Sequence, residues 1–256
     1  MTARTLGVIG GSGLYELPGL ADVERRKVET PFGNPSDELV LGRLGDTRLV
    51  FLPRHGRGHR LLPSELPFRA NIWALKSLGV ECVLAVSAVG SLREEIVPGH
   101  LVVPDQFIDR TRGRQQESTF FGRGVVAHVP FADPTCPTMS VAVHAAASGT
   151  GTTVHRGGTY VCMEGPLFST RAESHLYRSW GAHIIGMTNL QEAKLAREAE
   201  LCFATLALAT DYDCWHEHHD DVAIDDILQV IAANVECARK TVAALAGALP
   251  AAGGCG

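Results

Sequence analysis

The sequence predicts an α/β protein folded as a single domain. Three observations carry this reading. The runs Leu6-Gly7-Val8-Ile9, Cys82-Val83-Leu84-Ala85-Val86 and Cys202-Phe203-Ala204-Thr205-Leu206-Ala207-Leu208-Ala209 have the near-continuous hydrophobicity of strands buried on both faces. Stretches with helical spacing lie between such runs. No internal repeat or linker interrupts the 256 residues, so one domain is expected over 1–249, with a disordered Gly/Ala-rich tail at 250–256.

In chain order, Leu6–Ile9 is a first strand that runs into Gly10-Gly11-Ser12-Gly13-Leu14. A glycine-rich turn after a strand exposes backbone N–H groups and makes an anion cradle, with the Ser12 hydroxyl as a further phosphate ligand. A dinucleotide fingerprint is excluded because Glu16 stands at its third glycine position, and the Walker lysine is missing. Glu29 to Asp37 is a Pro/Gly/Asn loop. Leu39–Leu44 and Thr47–Leu52 form a hairpin around Gly45-Asp46. The second strand delivers Pro53-Arg54-His55-Gly56-Arg57-Gly58-His59-Arg60, a cationic strand end in which an arginine fork beside an imidazole suits a tetrahedral oxyanion.

Phe68 to Leu78 has helical spacing and stops at Gly79. Cys82–Val86 ends in Ser87-Ala88-Val89-Gly90-Ser91, small residues that leave room for a ligand against the backbone. Leu101–Pro104 followed by Asp105–Asp109 is a strand and turn. Arg110 to Gly124 lacks periodicity and fits an exposed excursion or a subunit contact. Pro137 to Ser148 is a helix; Thr153–His155 and Thr159–Met163 are strands. Thr170 and Glu173 have capping-box spacing ahead of a helix, and Phe168 just before them suits either stacking on a base or a staple into the core. His183 to Leu190 is a strand meeting a loop, and Gln191 to Glu200 is helical. After the last apolar run, Asp211 and Asp213 stand two apart and can face one pocket at a strand's carboxyl end. Paired carboxylates resist simultaneous ionisation, and one donor with one acceptor complements adenine's ring nitrogen 7 and 6-amino group. Asp225 to Leu249 is a terminal amphipathic helix, with Ile224, Ile227 and Leu228 sharing a face at its start.

Composition narrows the partners. Hydrophobic residues make up 45% and charged residues 20%, with a formal charge of −5 and no basic block, so nucleic acid is not expected as a partner. No apolar stretch is long enough to span a bilayer, and the first residues lack a signal-peptide pattern, so a cytoplasmic location is expected. The seven cysteines are scattered and form no CxxC, which fits reduced thiols. The segment His216-Glu217-His218-His219-Asp220-Asp221 looks metal-like, but consecutive residues cannot converge on one ion, and no metal site is expected.

From Leu6 to Leu249 the sequence resembles the methylthioadenosine phosphorylase branch of the trimeric purine nucleoside phosphorylases. The resemblance rests on Gly10–Leu14, Arg54-His55-Gly56, Ala70–Lys76, Gly90–Glu95, Asp105–Arg110, Glu164-Gly165-Pro166, Phe168–Glu173 and Asp211–Trp215, in that order. It implies a mixed, twisted sheet flanked by helices and a homotrimer or dimer of trimers. It also implies phosphorolysis of methylthioadenosine in purine and methionine salvage. Phosphate is then a co-substrate, lined by Ser12, Arg54, His55, Ser87, Ala88 and Thr188, and no cofactor is implied. Met187 lies against the ribose; Phe168, Ser169, Asp211 and Asp213 surround the base, with Asp211 as the acid and Asp213 assisting, and Tyr212 is a further substrate-binding residue. Ile224, Ile227 and Leu228 wall the 5′-methylthio group, with His59 near that end. Serine replaces a common family threonine at 12 and 87, and Gly186 stands where some members carry asparagine. Relatives acting on 6-oxopurines carry Glu and Asn where this chain has Ser169 and Asp211, which disfavours that alternative. A nucleoside binder without turnover would need no phosphate clamp.

Overall fold

The computed structural model describes residues 4–217 and 224–250, with backbone alone for Ser12, Tyr15, residues 224–229 and Ile231. β1 (Thr5–Gly10) is buried throughout and runs into a single 3₁₀ turn at Ser12–Tyr15. β2 (Ala21–Arg26) is an exposed edge strand whose four charged residues discourage further pairing. Its polar sequence gave no strand signal. The expected hairpin is present as β3 (Leu39–Leu44) and β4 (Thr47–Pro53), closed where Leu44 faces Thr47. α1 (Phe68–Ser77) ends at Leu78, and Gly79 takes the left-handed conformation at φ 79°.

β5 (Cys82–Ser91) is longer than the apolar run that announced it, continuing through the small residues. β6 (Leu101–Val103) is as expected, but the turn expected at Asp105–Asp109 is a strand, β7 (Gln106–Arg110). It is held there by parallel pairing with β9 (Thr159–Met163), which brings the Phe107 ring to 5.3 Å from that of Tyr160. The remaining elements are α2 (Pro137–Ser148), β8 (Val154–Arg156), α3 (Arg171–Ser179), β10 (Ile184–Gly186), α4 (Asn189–Glu198), β11 (Cys202–Tyr212) and α5 (Ile224–Gly247). The capping box at the start of α3 forms as expected, with Thr170 accepting from the Glu173 N–H and Glu173 accepting from the Thr170 N–H. Residues 251–256 of the expected disordered tail lie outside the described residues.

The strands make one mixed sheet that branches at β5. That strand pairs in parallel with β1 and β11 and, at Gly90 and Ser91, antiparallel with β10. β1 also pairs in parallel with β4. The carboxyl ends of β1, β4, β5 and β11 therefore open on one edge, where such sheets bind ligands. Helices cover both faces. Leu6, Val8, Leu84 and Leu206 pack with Val143 of α2 and Val242 of α5 on one side. Ile9, Val83, Ala85 and Phe203 pack with Ile72 and Leu75 of α1 and Leu195 of α4 on the other. The fold is thus α/β with a mixed sheet flanked by helices.

Candidate active site

At the mouth of β1 the Leu14 side chain packs close over Gly10. A β-carbon at Gly10 would stand 2.3 Å from the Leu14 side chain. The Gly10 carbonyl accepts from the Arg54 N–H at 2.9 Å, which ties this turn to the end of β4. Arg239 of α5 donates to the Gly13 carbonyl at 2.7 Å and pairs with Glu16 at 3.2 Å, fixing the far side of the turn. The Ser12 hydroxyl lies outside the described side chains.

The Arg54 guanidinium does not present its fork to solvent. It is 3% exposed, and Nε and one terminal nitrogen donate in parallel to Glu192 of α4 at 2.6 and 2.9 Å. The other terminal nitrogen donates to the Val86 carbonyl at 2.7 Å. Phosphate contact from Arg54 must use the remaining terminal N–H bonds, not the planar fork expected from sequence. Asn189 donates to the same Glu192 carboxylate at 2.9 Å. Neither carried a sequence signal: Asn189 lies where a strand was expected to meet a loop, and Glu192 in a stretch legible only as charged helix.

His55 is half-buried beside this pair. Its Nδ1 lies 2.9 Å from the Leu61 carbonyl, which can only accept, so Nδ1 carries the proton. Burial pushes the imidazole down to about 4, helped by the charges of Arg54 and Arg114 and by His59 and opposed by the Leu61 carbonyl. The ring is then neutral at pH 7, and Nε2 offers a lone pair. His59 is exposed and stacks on His55 at 4.2 Å between ring centres. Ser87 is buried, and its hydroxyl donates to the Ala88 carbonyl at 3.2 Å; Ala88 itself is exposed on the opposite side of the strand. Thr188 is 4% exposed at the entrance of α4, and its hydroxyl does not cap the helix.

Glu164 and Met187 are tied together by Arg114, which lies in the aperiodic stretch 110–124 and carried no sequence signal. It is 2% exposed, donates to Glu164 Oε1 at 3.1 Å, and also donates to the carbonyls of Glu164 and Met187. The Glu164 carboxyl is held below its usual range. Burial opposes this, but the Arg112 and Gly113 N–H groups and Arg114 outweigh it. The Met187 sulfur lies 2.5 Å from where a β-carbon at Gly165 would stand, so glycine at 165 (φ 69°, ahead of a cis Pro166) is what lets Met187 lie there. At Gly186 the corresponding space is filled by the Tyr160 hydroxyl, 2.0 Å from the point a β-carbon would occupy.

Asp211 and Asp213 come together as expected. The register of β11 slips between Ala209 and Asp211, a bulge of the kind that re-aims side chains at strand ends. Asp211 Oδ2 and the Asp213 β-carbon lie 3.7 and 3.5 Å from the position of a β-carbon at Gly90, so the small residue on β5 leaves the space that both aspartates border. Thr210 donates to Asp211 Oδ1 at 2.6 Å. Asp213 is 6% exposed, and its Oδ2 is buried with no hydrogen-bond partner. Two bonds to Ser91 hold the turn after the strand, from the Asp213 N–H at 2.9 Å and from the Trp215 indole at 2.8 Å. Asn234 of α5 donates to the Ala209 carbonyl at 3.0 Å.

Ser169 approaches this turn, its carbonyl accepting from the Cys214 thiol at 3.3 Å while Arg171 donates to the Cys214 carbonyl at 2.8 Å. Phe168 is 83% exposed, so the core-staple alternative is not what the chain adopts. Tyr212 is turned away from the aspartates, with its ring on His216 at 4.3 Å and its hydroxyl on the Glu94 carbonyl at 3.2 Å. Its side chain therefore does not join the two aspartates, although it was expected among the substrate-binding residues. The side chains of Ile224, Ile227 and Leu228 lie outside the described residues, as does most of the His216–Asp221 segment. Among the described residues no cluster of His, Cys, Asp or Glu could hold a metal ion, and no helix is long and apolar enough to cross a membrane. A separate cavity of about 510 Å³, lined by Phe32, Arg69, Phe120 and Arg123 among others, contains none of the expected site residues.

Comparison with known proteins identifies the family. Residues 5–246 match the phosphorylase superfamily. The chain is 64% identical over 239 residues to an S-methyl-5′-thioadenosine phosphorylase of Geobacter sulfurreducens, covering 93% of this chain and 83% of the relative. It is 60% identical over 245 residues to the enzyme of the same name from Koribacter versatilis, covering 96% and 83%. The crystal structure of a methylthioadenosine phosphorylase from an antarctic soil metagenomic library superposes with a TM-score of 0.93 at 49% identity, over 98% of this chain and 90% of the other. That of the Schistosoma mansoni methylthioadenosine phosphorylase in complex with tubercidin gives 0.88 at 39% identity, over 96% and 92%. The chain therefore belongs to the phosphorylase superfamily and, within it, to the S-methyl-5′-thioadenosine phosphorylases.

Proposed function

We propose that the protein converts 5′-methylthioadenosine and phosphate to adenine and 5-methylthioribose 1-phosphate. The observation that carries this reading is the aspartate pair beside Gly90, with a buried carboxylate oxygen of Asp213 awaiting a donor such as an amino group. In the reaction a phosphate oxygen bonds to C1′ as the C1′–N9 bond breaks and its electron pair moves into the purine. Asp211 gives a proton to ring nitrogen 7, so the base does not leave as an anion. General acids of this kind contribute about 10²–10⁴-fold. Asp213 holds the 6-amino group and so fixes the base against Asp211.

Arg54, neutral His55, Ser87, Thr188 and the Ser12 turn hold phosphate below the sugar, with Ala88 leaving room for it. In its tautomer His55 accepts at Nε2 from the P–OH of monohydrogen phosphate. Met187 lies under the ribose, Phe168 and Ser169 border the base, and Ile224, Ile227, Leu228 and His59 are assigned to the 5′ end. Phosphate is a co-substrate, so this chemistry invokes neither a metal nor an organic cofactor. The reading extends to a cytoplasmic homotrimer or dimer of trimers, which fractionation and light scattering test. The deciding experiment incubates the protein with methylthioadenosine, with and without phosphate, and follows free adenine by chromatography. Adenine release that depends on phosphate supports phosphorolysis; none with phosphate, or equal release without it, overturns it.

A further inference from the structure

Tyr160 is fully buried, and its hydroxyl has no hydrogen-bond partner of good geometry. A phenol left unpaired in a dry interior is costly, and folded proteins rarely keep one without a reason. Its ring is fixed by Phe107, Val89, Ile184 and Leu190. The hydroxyl is pressed against the backbone of Gly186, one residue before Met187, in space that any side chain at 186 would take. It also lies beside Ser87 without reaching good hydrogen-bond geometry, and near Arg54 and Glu192. Burial, the largest influence on it, raises the phenol well above its usual range, so it stays an O–H donor at any working pH. Ser87 is also weakly held, its hydroxyl donating to the carbonyl of the next residue at 3.2 Å. Two neighbouring hydroxyls, one buried donor and one strand-end group, are thus both poorly satisfied at the edge where phosphate is read to bind.

We infer that Tyr160 is a positioning residue for phosphate: its hydroxyl donates to Ser87 Oγ, which turns the Ser87 hydrogen away from the Ala88 carbonyl and onto a phosphate oxygen. The inference rests on the assignment of Ser87 to phosphate made above. Glycine at 186 is part of the same device, because it is the residue that admits the phenol.

The test is a double-mutant cycle of Tyr160→Phe and Ser87→Ala, read by steady-state kinetics and by melting with and without inorganic phosphate. Tyr160→Phe is expected to raise the KM for phosphate about threefold to tenfold, the factor one neutral hydrogen bond carries. The KM for methylthioadenosine stays within about twofold, the phosphate-free protein melts no lower than the parent, and the rise in melting temperature on adding phosphate shrinks. In a Ser87→Ala background, Tyr160→Phe has no further effect. A lower melting point without phosphate and an unchanged phosphate KM would make Tyr160 a packing residue and overturn the inference, as would effects that multiply independently. If Ser87→Ala itself leaves the phosphate KM unchanged, the assignment of Ser87 fails and takes the relay with it. If Ser87→Ala raises it and Tyr160→Phe does not, Tyr160 alone is wrong.

Discussion

Arg54 and Glu192 grip each other through two parallel hydrogen bonds of 2.6 and 2.9 Å, although 138 residues separate them in the chain. Their side chains are 4% and 2% exposed, so each is a buried charge compensated by the other. Removing one partner of such a pair typically costs about 3–5 kcal/mol, because the survivor is left charged in a dry site. At about 2–4 °C per kcal/mol for a chain of this size, Arg54→Ala is expected to lower the melting temperature by roughly 6–20 °C. It is expected to weaken phosphate and nucleoside together. The double variant Arg54→Met with Glu192→Leu is expected to recover most of the melting temperature while the KM for phosphate stays raised. Calorimetry alongside kinetics on both variants checks this; recovery of phosphate affinity in the double variant would remove Arg54 from the phosphate site.

His55 supplies a prediction about acid. Its folded-state pKa of about 4 lies below the ordinary histidine value of 6.5. Between those two values the unfolded chain takes up a proton that the folded chain refuses, so stability falls as pH drops from about 6.5 towards 4 and is insensitive to this group above 7. Burial lowers His155 and His183 as well, with the same sign. The slope due to His55 is therefore the difference between parent and His55→Gln. Urea unfolding midpoints at pH 7.5, 6.5, 5.5 and 4.5 are expected to converge in acid, with the variant losing less. Parallel curves would mean that His55 is not held neutral.

What could be read before folding was what local chemistry writes. The apolar runs of β1, β5 and β11 announced themselves because a strand buried on both faces has few polar positions. The hairpin of β3 and β4 and the cap at Thr170 were legible from turn and capping residues. β2 and β7 were missed because a polar edge strand and a short amphipathic one are defined by their partners. In the site, Asp211 and Asp213 were visible as a same-side pair at a strand end. Glu192, Arg114 and Tyr160 were invisible. Each acquires its role from a residue far away in sequence: Arg54 for Glu192, Glu164 and Met187 for Arg114, Gly186 for Tyr160. The arginine fork was legible as a fork but not as one already filled from within the protein.

Arg114 supports the residues proposed to face the sugar. A buried planar guanidinium joins Glu164 to the Met187 carbonyl, a geometry an ammonium cannot reproduce. Arg114→Lys keeps the charge and loses the fork. It is expected to raise the KM for methylthioadenosine about tenfold and that for phosphate by less than about threefold, as the loss of one or two buried hydrogen bonds would do. Initial-rate measurements varying each substrate separately check the split. Equal rises in both constants would place Arg114 with the general scaffold.

The two aspartates are expected to fail differently. Asp211 is read as the proton donor, and an amide at 211 can hydrogen-bond but cannot protonate a departing base. Asp211→Asn should therefore reduce kcat on methylthioadenosine by about 10²–10⁴, the usual weight of a general acid, with a smaller effect on its KM. The same variant should lose less on a 6-oxopurine nucleoside, whose carbonyl and ring N–H find partners in an amide. Asp213 is read as the acceptor for the 6-amino group through its buried, unpartnered oxygen. Asp213→Asn can turn an NH₂ towards that amino group, placing two donors face to face, so it should raise the KM for methylthioadenosine more than it lowers kcat. Rates for both variants on methylthioadenosine and on its 6-oxo analogue give four comparisons. If the two substitutions lower kcat equally and leave the amino-to-oxo preference where it was, the division of labour between Asp211 and Asp213 is wrong, and the pair acts as one coupled acid.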